Sequence, residues 1–321
     1  MPEITSITQI PGIYAGHATN EAAGTGCTVI VCPDGATGAV DVRGGAPATR
    51  ETDLLHPEET IQQLHAVVLS GGSAFGLAAS SGVADELECR DIGLDVMVTK
   101  VPIVSSACLF DLMCGDARVR PDATMGAEAV RAAFDHAGEP LARGNVGAGA
   151  GCTGGKVAGP QRCMKSGLGE CVLVAGDLVC GAVSAVNAVG NVVDPETGAP
   201  LAGVLSADGS RIISVEEAFA EAGAAMPLRA NTTISCVVTN AKLSKAEATK
   251  VAQMSADAYA HAIRPTHTTN DGDSIFVMAT GAVEAQVDMV GMLATAALEQ
   301  AIADAARSAC GAFGLKAARD L

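Results

Sequence analysis

From residue 232 onward, residue pattern alone gives the order of elements, and that order limits the folds open to this chain. Residues 232–239 read Thr-Thr-Ile-Ser-Cys-Val-Val-Thr, a β-branched and small apolar run that favours a strand. Ser244-Lys245-Ala246-Glu247 is a capping box. Behind it Val251, Ser255, Ala258, Tyr259 and Ala262 share one helical face, which predicts a helix as far as residue 263. Asp271-Gly272-Asp273 then leads into the apolar strand Ser274-Ile275-Phe276-Val277-Met278, and a last helix is predicted from residue 287 to about residue 310. Strand, helix, strand, helix is the order of an α/β or α+β fold with two layers of sheet. Upstream, strands are predicted at 28–32, 39–42, 66–69, 171–174, 178–186 and 211–214, with Pro33-Asp34-Gly35 as a turn. Ser214-Val215-Glu216-Glu217 is a second capping box, opening a helix to about residue 222.

The junction Asn231-Thr232 carries chemistry as well as structure. A hydroxyl residue opens the strand straight after a short loop. If the Thr232 hydroxyl attacks the Asn231 carbonyl, the peptide becomes an ester, and hydrolysis frees an N-terminal threonine. Such a residue holds a nucleophile and its own base, because an α-amine titrates near ~8 and a lysine amine near ~10. An ordinary loop entering a strand has the same composition, since Asn favours turns and Thr favours strands. Downstream, if the strand behind Asp271-Gly272-Asp273 begins early, both carboxylates face the same side with no Cβ between them. Two carboxylates that close raise one pKa, which suits a proton-transferring or hydroxyl-orienting pair. A solvated turn or a divalent-cation loop uses the same three residues, but an EF-hand needs further oxygen ligands and a Glu after the Gly, which are missing.

Taken together, these segments resemble one family. Asn231-Thr232-Thr233-Ile234-Ser235, Val238-Thr239-Asn240, and Arg264-Pro265-Thr266-His267-Thr268 ahead of Asp271-Gly272-Asp273 resemble the DmpA-type aminopeptidases. That family includes β-peptidyl aminopeptidases and the endo-type nylon-oligomer (6-aminohexanoate) hydrolase branch, to which the cut site is most similar. Val42-Arg43-Gly44-Gly45, Ser70-Gly71-Gly72-Ser73-Ala74-Phe75-Gly76-Leu77, Gly154-Gly155-Lys156-Val157 and Val186-Asn187-Ala188-Val189-Gly190 extend the resemblance, in order, over nearly the whole chain. It implies a single catalytic domain over residues 1–321, cut into 1–231 and 232–321. The implied fold is a layered αββα sandwich, two stacked sheets covered by helices, with the nucleophile opening an inner strand. It implies Thr232 as nucleophile after cleavage behind Asn231, and Asp271 and Asp273 as the supporting acids. Lys156 is implied near the nucleophile, where like charge would keep the new α-amine neutral. Asn187 is implied as donor to the tetrahedral oxyanion. Phe110 stands where relatives often have tyrosine, so a phenolic hydrogen bond is missing at the substrate. Taken by themselves, Lys156 also reads as a surface lysine and Asn187 as a turn residue, although an amide in an apolar run must find partners. The implied activity is hydrolysis of small amides: N-terminal residues of short peptides, β-peptides or ω-amino-acid oligomers. The alternatives are an acyltransferase resembling ornithine acetyltransferase, whose usual Lys-Gly-x-Gly-Met signature is absent, and an uncut, non-catalytic binding protein. Relatives are multimers, often tetramers.

The remaining features exclude other classes. At 321 residues the chain can bury a large core; 49% of it is hydrophobic but only 2% aromatic, with 37 Gly, so that core is built of Ala, Val, Ile and Leu. A net charge of −16 argues against nucleic acid or anionic membrane as partner. The 11 cysteines are odd in number and scattered, without Cys-x-x-Cys, and read as free thiols in a reducing compartment. Among them Cys236 shares the strand face of Thr232. The six histidines show no ligand spacing, so no metal and no cofactor are expected; His267 reads as a loop histidine or as support for the site. Met1-Pro2-Glu3-Ile4-Thr5 lacks the regions of a signal peptide, and a cytoplasmic protein is expected. The glycine-rich stretches fail the Walker A pattern because Val157 follows Lys156. The turn Ser70-Gly71-Gly72-Ser73, read as opening a helix at Ala74, places backbone amides of Gly71 and Gly72 where they could meet substrate or allow close packing beside the site.

Overall fold

The structure is a computed structural model that describes residues 4–222 and 231–321. In chain order its main elements are β1 (Tyr14–Asn20), β2 (Thr25–Val42), β3 (Leu64–Ser70), α1 (Ala79–Cys89), β4 (Val104–Cys108), α2 (Ala123–Asp135), β5 (Leu168–Ala175) and β6 (Leu178–Asn187). They continue with α3 (Val215–Ala222), β7 (Thr232–Ala241), α4 (Lys245–Ser255), α5 (Asp257–Ala262), β8 (Ser274–Val283) and α6 (Val287–Ser308). The strands run in the order β5-β6-β7-β8-β2-β3-β4, with β1 also on β2 and Thr49–Arg50 on the far side of β4.

Strand β2 makes this one connected sheet and also two layers. The sequence pattern predicts two strands parted by a turn at Pro33-Asp34-Gly35; the structure has one strand of 18 residues. Its pairing register shifts between Val31 and Ala36, and Pro33, which has no N–H for a ladder, sits inside that irregularity. The first half of β2 pairs with β1 and β3, the second half with β8. Ile30, Val67 and Leu69 from one half meet Val183, Ile234, Cys236, Phe276 and Met278 from the other in one buried cluster, so the two halves of the sheet stack face to face. Period-two alternation sends the other strand residues outward. Val29, Val31 and Val68 pack under α1 and α2, while Val237, Ile275 and Val277 pack under α4, α5 and α6. The result is helix, sheet, sheet, helix, with a mixed parallel and antiparallel sheet.

The capping box at Ser244 forms, with Ser244 Oγ accepting from the Glu247 amide at 3.3 Å and the Ser244 amide donating to Glu247 Oε2 at 2.8 Å; at Ser214 the Oγ accepts from the Glu217 amide at 3.1 Å, while the Glu217 carboxylate pairs with Arg211. The helix predicted to residue 263 is broken at Ala256 into α4 and α5. Ser255 Oγ bonds back to the Val251 carbonyl at 2.9 Å, an interaction that bends helices. The last helix ends at Ser308, and 211–214 forms only an isolated bridge, Leu205 to Ile212. Ser73–Ala78 is a 3₁₀ turn, and the α-helix proper begins at Ala79. Residues 223–230, including most of the segment leading to the junction, lie outside the described residues. No helix among those described is long and apolar enough to cross a membrane.

Candidate active site

Three strand ends meet at one place. Asn187, the last residue of β6, stands directly across the antiparallel ladder from Thr232, the first of β7. On the other side β7 runs parallel to β8, with Ile234 beside Ser274, so the loop that feeds β8 passes next to Thr232. That loop is Asp271-Gly272-Asp273. It precedes the strand, so the condition that the strand begin early is not met; both carboxylates are nonetheless buried, each at 2% exposure. Every residue of β7 is buried as well.

The loop meets the threonine through its glycine. The Gly272 amide donates to Thr232 Oγ1 at 3.0 Å. A Cβ on Gly272 would lie 2.9 Å from that same oxygen, so only glycine lets the backbone come this near. Asp273 is the more heavily bonded acid. Its Oδ1 accepts from the Thr233 amide at 2.7 Å, and its Oδ2 from Thr266 Oγ1 at 3.0 Å, the His267 amide at 3.0 Å and His267 Nδ1 at 2.9 Å. Asp271 Oδ2 accepts from the Thr268 amide at 2.7 Å. Burial, and then the neighbouring Asp273 charge, push the Asp271 carboxyl up to about 6. These donors satisfy oxygens that a cation loop would offer to a metal, and among the described residues no three His, Cys, Asp or Glu side chains gather as metal ligands.

Lys156 is buried and holds Asn187. Its Nζ donates to the Asn187 carbonyl at 2.7 Å and Asn187 Oδ1 at 2.9 Å, and also reaches the Thr153 and Ala188 carbonyls at 2.8 and 3.1 Å. The Thr153 amide donates to Asn187 Oδ1 at 3.0 Å as well. With its oxygen pinned this way, the Asn187 amide turns its nitrogen toward the Phe110 carbonyl, 2.8 Å away. Burial pushes the Lys156 ammonium down to about 8. The lysine therefore orients the asparagine; its ammonium is surrounded by carbonyls, which does not favour the expectation that it acts on the Thr232 amine by like charge. The Phe110 ring lines the cavity in front of Thr232, and also a second cavity of about 380 Å³ that Lys156 borders.

Gly71 and Gly72 stand elsewhere than the substrate reading has them. The Gly71 amide donates to the Gly26 carbonyl at 2.9 Å and the Gly72 amide to Asp111 Oδ1 at 2.7 Å. Ser73 is the residue of this turn that lines the Thr232 cavity. Gly72 has φ +81°, which a residue with a Cβ would adopt only under strain. Cys236 packs between the sheets, where burial pushes its thiol far up.

Sequence reasoning missed Tyr259, which it treats only as core. Its hydroxyl lies 2.8 Å from Ser235 Oγ and donates to the carbonyls of Thr233 at 3.2 Å and Ser274 at 3.3 Å, so it joins the starts of β7 and β8. Its ring stacks on His267 at 5.2 Å. The available signal was a tyrosine on an otherwise apolar helix face, whose hydroxyl must find a buried partner. His267, meanwhile, supports Asp273 directly.

Comparison with known proteins identifies the family and the fold. The sequence profile of peptidase family S58 matches residues 5–318. An uncharacterised aminopeptidase of Mycobacterium leprae is 44% identical over 296 residues, 88% of this chain and 80% of the relative. A 6-aminohexanoate-oligomer endohydrolase of Paenarthrobacter ureafaciens is 35% identical over 280 residues, 85% of this chain and 74% of the relative. The fold is shared with a β-aminopeptidase of a Burkholderia species, TM-score 0.68 at 20% identity, covering 99% of this chain and 92% of that one. It is also shared with the L-aminopeptidase D-Ala-esterase/amidase of Ochrobactrum anthropi, TM-score 0.66 at 16% identity, covering 96% and 88%. Such a match over nearly the whole length makes this chain a hydrolase of peptide or amide bonds, and it belongs to peptidase family S58, the DmpA-type aminopeptidases.

Proposed function

We propose that the protein is a self-processing amidohydrolase whose nucleophile is the N-terminal threonine released by cleavage between Asn231 and Thr232. The observation that carries this reading is the Thr232 hydroxyl itself: it directly follows Asn231, accepts from Gly272, and stands between the Asn187 strand end and the Asp271–Asp273 loop. In the first step Thr232 Oγ attacks the Asn231 carbonyl carbon, the C–N bond breaks and an ester forms. Water then cleaves the ester, leaving a carboxylate on Asn231 and an amine on Thr232. In turnover that amine takes the hydroxyl proton as Oγ attacks a substrate amide; the proton leaves with the departing amine, and water hydrolyses the acyl-enzyme. Asn187 Nδ2, oriented by Lys156, supplies a donor toward the oxyanion. Such a donor is typically worth about 3 kcal/mol in the transition state. Asp271, with its carboxyl near neutrality, moves protons. Asp273, held by four donors, keeps the loop and the Thr233 amide in place.

The substrates of this reading are small amides and short peptides, including β-peptides and ω-amino-acid oligomers; the endohydrolase relatives support the latter. Free cysteines, most of them buried, suit a cytoplasmic location. A homotetramer is the expected assembly, checked by light scattering.

Denaturing mass spectrometry tests the central claim. Active protein should give two fragments, residues 1–231 and 232–321. Thr232→Ala should stay full length and lose activity by a factor on the order of 10⁴ or more. Uncut wild-type chain that still hydrolyses amides would remove Thr232 from the chemistry.

A further inference from the structure

The turn between β3 and α1 holds one residue whose conformation the turn itself does not call for. Ser73 has φ +55°, a left-handed conformation that costs any residue with a Cβ and that glycine adopts freely. Glycine stands in this turn at 71, 72 and 76, where the backbone is crowded or left-handed, yet not at 73. The Ser73 hydroxyl is not among the fastenings of the turn. The Gly71 amide donates to the Gly26 carbonyl, the Gly72 amide to Asp111, the Ser73 amide to the Leu109 carbonyl at 2.9 Å, and Ser70 Oγ to the Gly71 carbonyl at 3.2 Å. Among the described residues the Ser73 hydroxyl makes no hydrogen bond. Strain of this kind clusters at binding and catalytic sites, and Ser73 lines the cavity of about 470 Å³ in front of Thr232.

Asn231, the acyl half of the bond that self-cleavage breaks, lines the same cavity, so the acyl half of a later substrate meets the same walls. The carbonyl after that of Leu109, on Phe110, accepts from Asn187 Nδ2 at 2.8 Å, so one two-residue segment fixes both Ser73 and the oxyanion donor. On the reading of Thr232 as nucleophile, on which this inference rests, we propose that Ser73 is a substrate-positioning residue. Its hydroxyl, able to donate and to accept, bonds a polar substituent on the acyl half and holds the scissile carbonyl within the attack distance of about 3–3.5 Å from Thr232 Oγ1. Self-cleavage does not use this bond, because the Asn231 carbonyl is joined covalently to Thr232 and already stands beside it. Positioning therefore separates turnover from cutting, whereas a structural role for Ser73 would move both.

The experiment uses cut protein and the p-nitroanilides of L-alanine, β-alanine and 6-aminohexanoate, with, for the fastest of them, the counterpart that carries methyl in place of the amine. Ser73→Ala should cut at the wild-type rate, within about twofold, and lose about tenfold in kcat/KM on the amino substrate, through KM with kcat nearly unchanged. On the methyl counterpart the loss should be less than about twofold. Ser73→Gly, free of the strain, should show the same kinetic loss with a melting temperature equal to that of the wild type or higher. Equal losses on the two substrates, slowed cutting, or a glycine variant that is less stable yet kinetically normal would overturn the proposal. Wild-type chain that stays uncut, or is cut and hydrolyses none of the anilides, would take down the nucleophile reading and this inference with it. Unaltered kinetics of Ser73→Ala in an active enzyme would take down this inference alone.

Discussion

Each half of the sandwich contains a strand–helix–strand unit with parallel strands: β3–α1–β4 in one, β7–α4–α5–β8 in the other. Both have a glycine beside a buried acid. In the first, the Gly72 amide donates to Asp111, and Thr25 Oγ1 closes the other oxygen at 2.6 Å. In the second, the Gly272 amide donates to the Thr232 hydroxyl, and the acids on either side face the surrounding loop. In the first unit both carboxylate oxygens of the acid are held by donors, Gly72 and Thr25. The second leaves the Thr232 hydroxyl beside a cavity. Two turns that each set a glycine amide near a buried acid therefore differ in what faces that amide, and the neighbouring strands determine it.

Exchanging the acids tests the contrast most strongly. Asp273→Asn and Asp271→Asn should each slow cutting and lower kcat/KM by a factor on the order of 10². Asp111→Asn should lower thermal stability and leave kcat/KM within about threefold, because the amide oxygen can still accept from Gly72 while its NH2 donates to the Thr25 hydroxyl. Equal losses of activity at Asp111 and Asp273 would erase the distinction. Asp271 adds a pH signature. The folded carboxyl keeps its proton to about 6, whereas an unfolded one releases it near ~4. Between those values the folded state binds more protons, so stability falls as pH rises through the window, and Asp271→Asn should remove that slope. Turnover should rise over the same interval as the base ionises.

Lys156→Met tests whether the lysine acts by orienting Asn187. It fills the same space without the ammonium, and kcat should fall by about tenfold to a hundredfold with KM nearly unchanged. Because the folded ammonium gives up its proton near 8, before the unfolded chain does, wild-type stability should rise from about 8 toward the ordinary lysine value of ~10. The methionine variant should lack that rise.

Two alanines sharpen the comparison further. Gly272→Ala, which pushes a methyl against Thr232 Oγ1, should reduce the cutting rate by about tenfold with little change in melting temperature. Gly72→Ala, forced to adopt φ +81°, should cost about 1–2 kcal/mol of stability and leave cutting alone. The smallest effect is expected for Tyr259→Phe. It keeps the stack on His267 and loses one hydroxyl, for a change of about two- to fivefold in kcat, the size of one buried hydrogen bond.

Much of this was legible beforehand. The capping box at Ser244 and the serine cap at Ser214 formed, and Thr232, Asn187, Lys156, Asp271 and Asp273, all named from the sequence, do converge. Three features were not legible. Pro33-Asp34-Gly35 reads as a turn, yet it is an irregularity inside one strand, because β3 pairs with residues before and after it and β8 with those beyond, while Gly35 takes φ +80°. Gly71 and Gly72 look like free donors until Asp111 and Gly26, far away in sequence, are brought against them. Tyr259 looks like core because its partners lie on two different strands.

By itself the sequence determined the order of strands and helices from residue 232 onward, the helix start behind Ser244, and which hydroxyl opens a strand behind an asparagine. These follow from local periodicity, capping and residue type, all acting within a few positions of the chain. The tertiary structure alone decided which amide faces Thr232, which acid is crowded upward, and what Lys156 holds. Those outcomes depend on strand order and burial, which bring together groups from distant parts of the chain and remove the water that would otherwise make them alike.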